Sequence, residues 1–154
     1  MNSATRPRPA YLKLANPLFK TLSRIGMSLG PVHILTVTGR TSGAPRSTPV
    51  SPVVVGGRRF LLAPLPQTSW ARNARAHPAS TLARGRSREQ VTLTEVHDAE
   101  LVREVMTAFP AQVPHGVRLF VALGLVTSGS PAEFAAAAPA VTAFEILGGG
   151  APRR

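Results

Sequence analysis

Residues 33–63 read HILTVTGRTSGAPRSTPVSPVVVGGRRFLLA, three apolar and β-branched runs divided by a basic loop and by a glycine pair. His33 to Thr38 has the composition of a strand, and Gly39 ends it. Residues 47–55 form a second run, but Pro49 and Pro52 lack the amide that a central strand donates. That predicts an edge or bulged strand. Gly56-Gly57 is a two-residue hairpin signal, and Arg58 to Ala63 returns from it.

The same grammar repeats on either side. Residues 81–84 and 89–96 predict a second hairpin around Gly85, where Val91 and Leu93 alternate with Thr92 and Thr94. Residues 141–147 predict a closing strand. Ser69 is expected to cap a helix over 70–76 that Pro78 ends, and Asp98 to cap another with Leu101, Val102, Val105, Met106 and Phe109 on its buried side. Residues 117–126 are apolar nearly all round, which predicts a buried or partner-facing helix. Ser130-Pro131 opens a short alanine-rich helix. Upstream, Asn16-Pro17 reads as a cap and first-turn proline, and Leu18, Leu22, Ile25 and Leu29 oppose Lys20 and Arg24. The expected organisation is an arm over 1–15, one domain over 16–147 and a tail over 148–154. Five or six strands with hairpins and peripheral helices make an α+β barrel.

Composition narrows the chemistry. The length of 154 residues suits one domain, and 44% hydrophobic against 16% charged residues excludes a wholly disordered chain. No cysteine is present, which excludes disulfide frameworks, zinc ribbons and thiol nucleophiles. His33, His77, His97 and His115 lack ligand spacing, so each reads as a structural or surface residue and no metal is expected. There is no Walker lysine, no G-x-G-x-x-G and no G-x-S-x-G elbow, and the sole aspartate, Asp98, reads as a helix cap. An enzyme without metal, thiol, triad or paired carboxylates takes its chemistry from a cofactor.

Charge says what such a cofactor looks like. The net charge is +11, and every one of the seven carboxylates lies after residue 88. The first 88 residues therefore present an uncompensated cationic field that draws in phosphates, carboxylates or an acidic surface. Met1 to Pro9 is polar, without the apolar segment of a secretory signal, and the longest apolar run, 119–126, falls far short of the ~20 residues of a spanning helix. The expected location is the cytoplasm. The basic helix near Lys20 reads either as a cap on the core or as a peripheral membrane contact.

Two clusters stand out. Residues 39–49 hold Arg40, Thr41, Ser42, Gly43 and Arg46 between two strands, which is either an anion cradle or a basic hairpin turn. Residues 69–78 set Ser69, Trp70 and Asn73 at a helix start beside Arg72 and Arg75, where Trp70 is either a platform for a planar ring or a core anchor. Arg84, Arg86 and Arg88 with Arg58-Arg59 suggest a nucleic-acid face, but no aromatics interleave them and no nucleic-acid partner is expected.

Together the clusters carry a resemblance. Thr38-Gly39-Arg40-Thr41-Ser42-Gly43-Ala44-Pro45-Arg46-Ser47-Thr48-Pro49 resembles the first signature of the deazaflavin (coenzyme F-420)-dependent nitroreductase and quinone reductase family. Ala63-Pro64 and then Trp70-Ala71-Arg72-Asn73-Ala74-Arg75-Ala76 resemble its second signature. The hairpin over 84–96 and Phe144-Glu145-Ile146 also fit, so the likeness spans about residues 16–147. It implies the split β-barrel of the flavin-binding reductases and a bound 8-hydroxy-5-deazaflavin with a phosphate and an oligoglutamate tail. It further implies that Arg40 and Arg46, with Thr41, Ser42 and Gly43, hold the anionic tail. Thr48, Pro49, Val50 and Ser51 would line one side of the ring, Ala63 and Pro64 would face ring or phosphate, and Ser69, Trp70 and Asn73 would close the pocket.

The implied reaction is hydride transfer to a small-molecule acceptor: a quinone, a nitro compound or an activated double bond. No catalytic side chain follows from it. Thr41 stands where many relatives carry lysine or arginine, the loop over 64–68 is short and proline-rich, and Tyr11 is the sole tyrosine where nitro-reducing members place tyrosines in the C-terminal half. The last departure counts against nitro reduction. The 117–126 helix is expected to lid an apolar acceptor pocket through Phe120. Three other readings stay open, in this order: a flavin mononucleotide (FMN)-binding reductase on the same barrel, a non-catalytic binder of a cofactor or lipid-like ligand, and a charge-driven nucleic-acid binder. Monomer and homodimer both remain open.

Overall fold

Seven strands form one antiparallel sheet in the computed structural model, which describes residues 32–65 and 67–148. The expected arm, the basic helix from Asn16, Tyr11, Pro66 and the tail from residue 149 lie outside the described residues. The strands are β1 His33–Thr38, β2 Pro45–Val50, β3 Val53–Val55, β4 Arg58–Ala63, β5 Ala79–Arg84, β6 Ser87–Glu95 and β7 Thr142–Gly148. Four α-helices accompany them among the described residues: α1 Ser69–Ala76, α2 Ala99–Gln112, α3 Val117–Ala122 and α4 Pro131–Ala137. None of the described helices is long and apolar enough to cross a membrane.

The sheet order is β2-β1-β5-β6-β7-β4-β3, so β2 and β3 are its two edges. Yet only Ser51 and Pro52 separate them in sequence. Three Cα steps of 3.8 Å keep Val50 and Val53 within about 11 Å. The sheet must therefore curl until its edges meet, which produces the expected split barrel. The strand expected over 47–55 is thus two strands, one on each edge, and six strands become seven. Pro49 donates no amide, so β2 cannot sit between two neighbours, and Pro52 falls at the corner between the two edges.

Turn chemistry behaves as read. Gly56 and Gly57 have φ of 57° and 73°, the two positive values that a tight β3–β4 hairpin needs. Gly85, at φ 58°, opens the β5–β6 hairpin. Asp98 caps α2, accepting from the Glu100 and Leu101 amides at 3.0 and 3.3 Å. Ser69 does not cap α1: it lies inside the helix, after Thr68, whose hydroxyl donates to the Leu65 carbonyl at 2.7 Å.

Two cores result. Leu35, Val37, Leu61, Leu82, Leu93 and Phe144 pack with Ala71 and Ala74 of α1. Val53 and Phe60 pack with Val105, Met106 and Phe109 of α2, with Phe120 and with Phe134. The rings of Phe109, Phe120 and Phe134 meet at centroid distances of 5.0 to 5.6 Å. This takes Phe120 out of the lid expected over 117–126. Helix α3 has only six residues, Gly124 at φ 72° follows it, and Leu119, Val121 and Leu123 are exposed. Phe120 is only 2% exposed because its two aromatic partners take it into the core, so it faces no acceptor pocket.

Candidate functional site

The β1–β2 loop is shaped by its glycines. Gly39 donates to the Ala44 carbonyl at 2.8 Å, and Gly43 donates to the Gly39 carbonyl at 2.9 Å. Gly43 has φ 67°, and a Cβ at Gly39 would come within 2.5 Å of Ser42 Oγ, so other side chains are strained at the first and crowded at the second. Arg40, Thr41 and Ser42 stand exposed on this turn. Among the described residues nothing accepts from the Thr41 or Ser42 amides, while Ser42 Oγ accepts from the Ala44 amide at 3.2 Å.

Helix α1 supplies the loop's anchor. Ala71 and Ala74 bury one side of α1 in the core, with Arg72 and Arg75 outside. Asn73 shares the buried side at 5% exposure, and its Oδ1 accepts from the Arg40 amide at 3.1 Å and from Arg40 Nη1 at 2.9 Å. A buried amide oxygen needs such partners, and a charged donor makes the stronger bond. The two clusters singled out in the sequence are therefore joined at one point.

Among the described residues three arginines are ion-paired. Arg58 pairs with Glu145 at 2.7 Å, Arg59 with Glu89 at 2.7 Å and Arg75 with Glu95 at 2.9 Å. The guanidinium hydrogen bonds hold these three carboxyls below the usual carboxylate range. Arg40 and Arg46 have no carboxylate partner among the described residues. Arg46 sits opposite Val37, and its Nε lies 3.6 Å from where a Cβ on Gly39 would stand. Unneutralised positive charge and free amides thus share one loop, a suitable arrangement for an anion.

The remaining expected residues sort by geometry. Thr48 pairs with Leu35, whose side is the core, whereas Pro49 pairs with Ile34 on the opposite side. Side chains alternate along a strand, so Thr48, Pro49 and Val50 cannot all line one face. A flat ring reaches all three only along the free edge of β2. Ala63 is fully buried and its methyl packs in the core, while Pro64 is half-buried. Ser69 is exposed at the start of α1. Trp70 is half-buried, tilted against Phe144 with ring centroids 5.4 Å apart, which matches the core-anchor reading.

One pair escaped the sequence. Ser51 Oγ and His115 Nε2 lie 3.1 Å apart, although 64 positions separate them. His115 read as a structural or surface residue, and no spacing rule links it to the loop that closes the barrel.

Comparison with known proteins adds a family model. The model for F420H(2)-dependent quinone reductase matches residues 19–115, well over half of the chain. Among proteins of curated function, none matches the sequence. The fold is similar to that of the conserved protein Rv2991 from Mycobacterium tuberculosis, with a TM-score of 0.56, 12% identity and coverage of 86% of this chain and 80% of that one. It is similar as well to a FAD-binding protein from Mesorhizobium loti, with a TM-score of 0.50, 16% identity and coverage of 88% and 90%. A chain that forms a domain-swapped dimer gives a TM-score of 0.52 at 18% identity, covering 92% and 99%.

Proposed function

The chain belongs to the F420H(2)-dependent quinone reductase family, and from that premise we propose that it reduces a quinone-like acceptor at the site built by the β1–β2 loop, the edge of β2 and helix α1. Membership makes it an oxidoreductase that depends on coenzyme F-420. The observation that carries the assignment of the site is the Arg40–Asn73 clamp, which fixes a cation on a loop whose Thr41 and Ser42 amides are free. The donor set suits the coenzyme. A phosphate and a chain of carboxylates call for several hydrogen-bond donors and unpaired cations, and the loop has both.

Arg40, Arg46 and the amides of Thr41 and Ser42 would hold the anionic tail, with Gly43, whose own amide is bonded to the Gly39 carbonyl, shaping the turn. Asn73 would keep Arg40 in place. Thr48, Pro49, Val50 and Ser51 would meet the ring along the free edge of β2, and Pro64, Ser69 and Trp70 would bound the site from the α1 side. When bound, the reduced deazaflavin supplies a hydride. The chain's part is to fix the geometry between the ring and the acceptor.

Quinones are the favoured acceptors, ahead of nitro compounds and activated double bonds. The absence of tyrosine beyond Tyr11 supports that order. A homodimer is the proposed assembly, by extension from the domain-swapped fold relative. Purified protein given reduced coenzyme should oxidise it faster with menadione, a simple naphthoquinone, than with a nitroimidazole or an unsaturated ester. Faster turnover of the nitro compound would overturn the order.

A further inference from the structure

Ser51 closes the barrel: it follows β2 directly and precedes Pro52 and β3. His115 reaches it from the 3₁₀ turn Pro114–Gly116, which leaves α2 through Val113. That turn is rigidly placed. The Val113 amide donates to the Phe109 carbonyl at 2.7 Å and the Gly116 amide to the Val113 carbonyl at 2.9 Å. A Cβ on Gly116 would fall 2.6 Å from the Phe109 ring, which is itself buried in the aromatic cluster. The imidazole is therefore held against Ser51 by the core.

The two ring nitrogens have different surroundings. Nε2 faces Ser51 Oγ at 3.1 Å. Nδ1 has no hydrogen-bond partner among the described residues, and His115 is only half-buried, which leaves the ring a side toward solvent. No carboxylate lies within ion-pair distance of the ring among the described residues. Solvent, Nδ1, Nε2 and Ser51 Oγ form a continuous line that ends at the free edge of β2.

Building on the reductase reading, we propose that His115 and Ser51 relay the proton that the acceptor takes up. A quinone that has accepted a hydride carries negative charge on oxygen and must gain a proton. Ser51 Oγ gives up its proton as a new bond to hydrogen forms on that oxygen. Oγ takes the proton of His115 Nε2, and Nδ1 takes one from solvent, leaving the imidazole in its other tautomer. The acceptor gains a hydride and one solvent proton, the charge balances, and no further reductant is needed. Ser51 would be the catalytic residue and His115 the positioned donor behind it.

His115→Gln keeps a polar side chain beside Ser51 but has no second ring nitrogen to pass a proton. With menadione it should lower kcat about 100-fold, while KM and the affinity for oxidised coenzyme F-420, read by fluorescence, stay within about twofold. Ser51→Ala should give a similar loss, and the double variant no more, because both act in one relay. Independently of turnover, the ¹⁵N signals of the His115 ring should shift in Ser51→Ala and on adding the oxidised coenzyme. Unchanged kcat in His115→Gln, or ring signals that the coenzyme leaves unmoved, would overturn the relay alone. A wild-type protein that binds no coenzyme would remove the reductase reading and the relay with it.

Discussion

Arg40 donates twice to a single oxygen, Oδ1 of Asn73, once from its backbone amide at 3.1 Å and once from its guanidinium at 2.9 Å. One buried side chain thereby fixes both the path of the loop and the direction of its cation. Asn73→Ala should then weaken coenzyme binding about as much as Arg40→Ala, by about 10- to 100-fold for a charge-assisted bond. The double variant should fall short of the product of the two losses. A double-mutant cycle of fluorescence titrations checks this, and strict additivity would separate the two residues.

Phe120 belongs to the folding core. Its ring lies 5.0 Å from both Phe109 and Phe134. Phe120→Ala should cost about 3–5 kcal/mol of stability, seen as an earlier urea midpoint. A variant of undiminished stability would contradict its place in that core.

Gln112 acts as a substitute strand. Its Oε1 accepts from the Val54 amide at 2.8 Å and its Nε2 donates to the Val54 carbonyl at 2.7 Å, covering part of the exposed edge of β3. Gln112→Ala should lose about 1–2 kcal/mol and leave an edge open to pairing with other chains. Thermal melts with light scattering measure both effects, and an unchanged variant would show that the edge needs no cover.

Acid should weaken the fold through the three arginine-paired carboxyls. Glu89, Glu95 and Glu145 have lowered values because each accepts hydrogen bonds from an arginine. A carboxyl lowered on folding stabilises above its unfolded value, about 4.3, and that contribution is lost as pH falls through the folded value. Stability from these groups should be level from about pH 5 to 8 and decline below about 4. The effect is modest, since the pairs are partly exposed. Urea midpoints at several pH values check it, and Glu89→Gln should flatten part of the decline.

Much of this architecture was legible because it is local. Strand β1, the Gly56-Gly57 turn, the Asp98 cap and the β5–β6 hairpin follow from residues within a few positions of one another. The division of 47–55 was half legible: its prolines announce an edge, but only the closure of the barrel shows that two edges share the run. Phe120 misled because an apolar segment does not say which neighbour receives it. Arg40 and Asn73 each stood out alone, while their bond spans 33 positions. Ser51 and His115 were hidden for the same reason, since their meeting depends on where α2 ends in space.

Binding of oxidised coenzyme F-420 is the most direct test, titrated by fluorescence against wild type and Arg46→Ala at low and high salt, with flavin mononucleotide alongside. The site described here predicts coenzyme affinity that falls with salt and with loss of Arg46, and weaker binding of flavin mononucleotide. No coenzyme binding, or equal binding of flavin mononucleotide indifferent to Arg46, would contradict it.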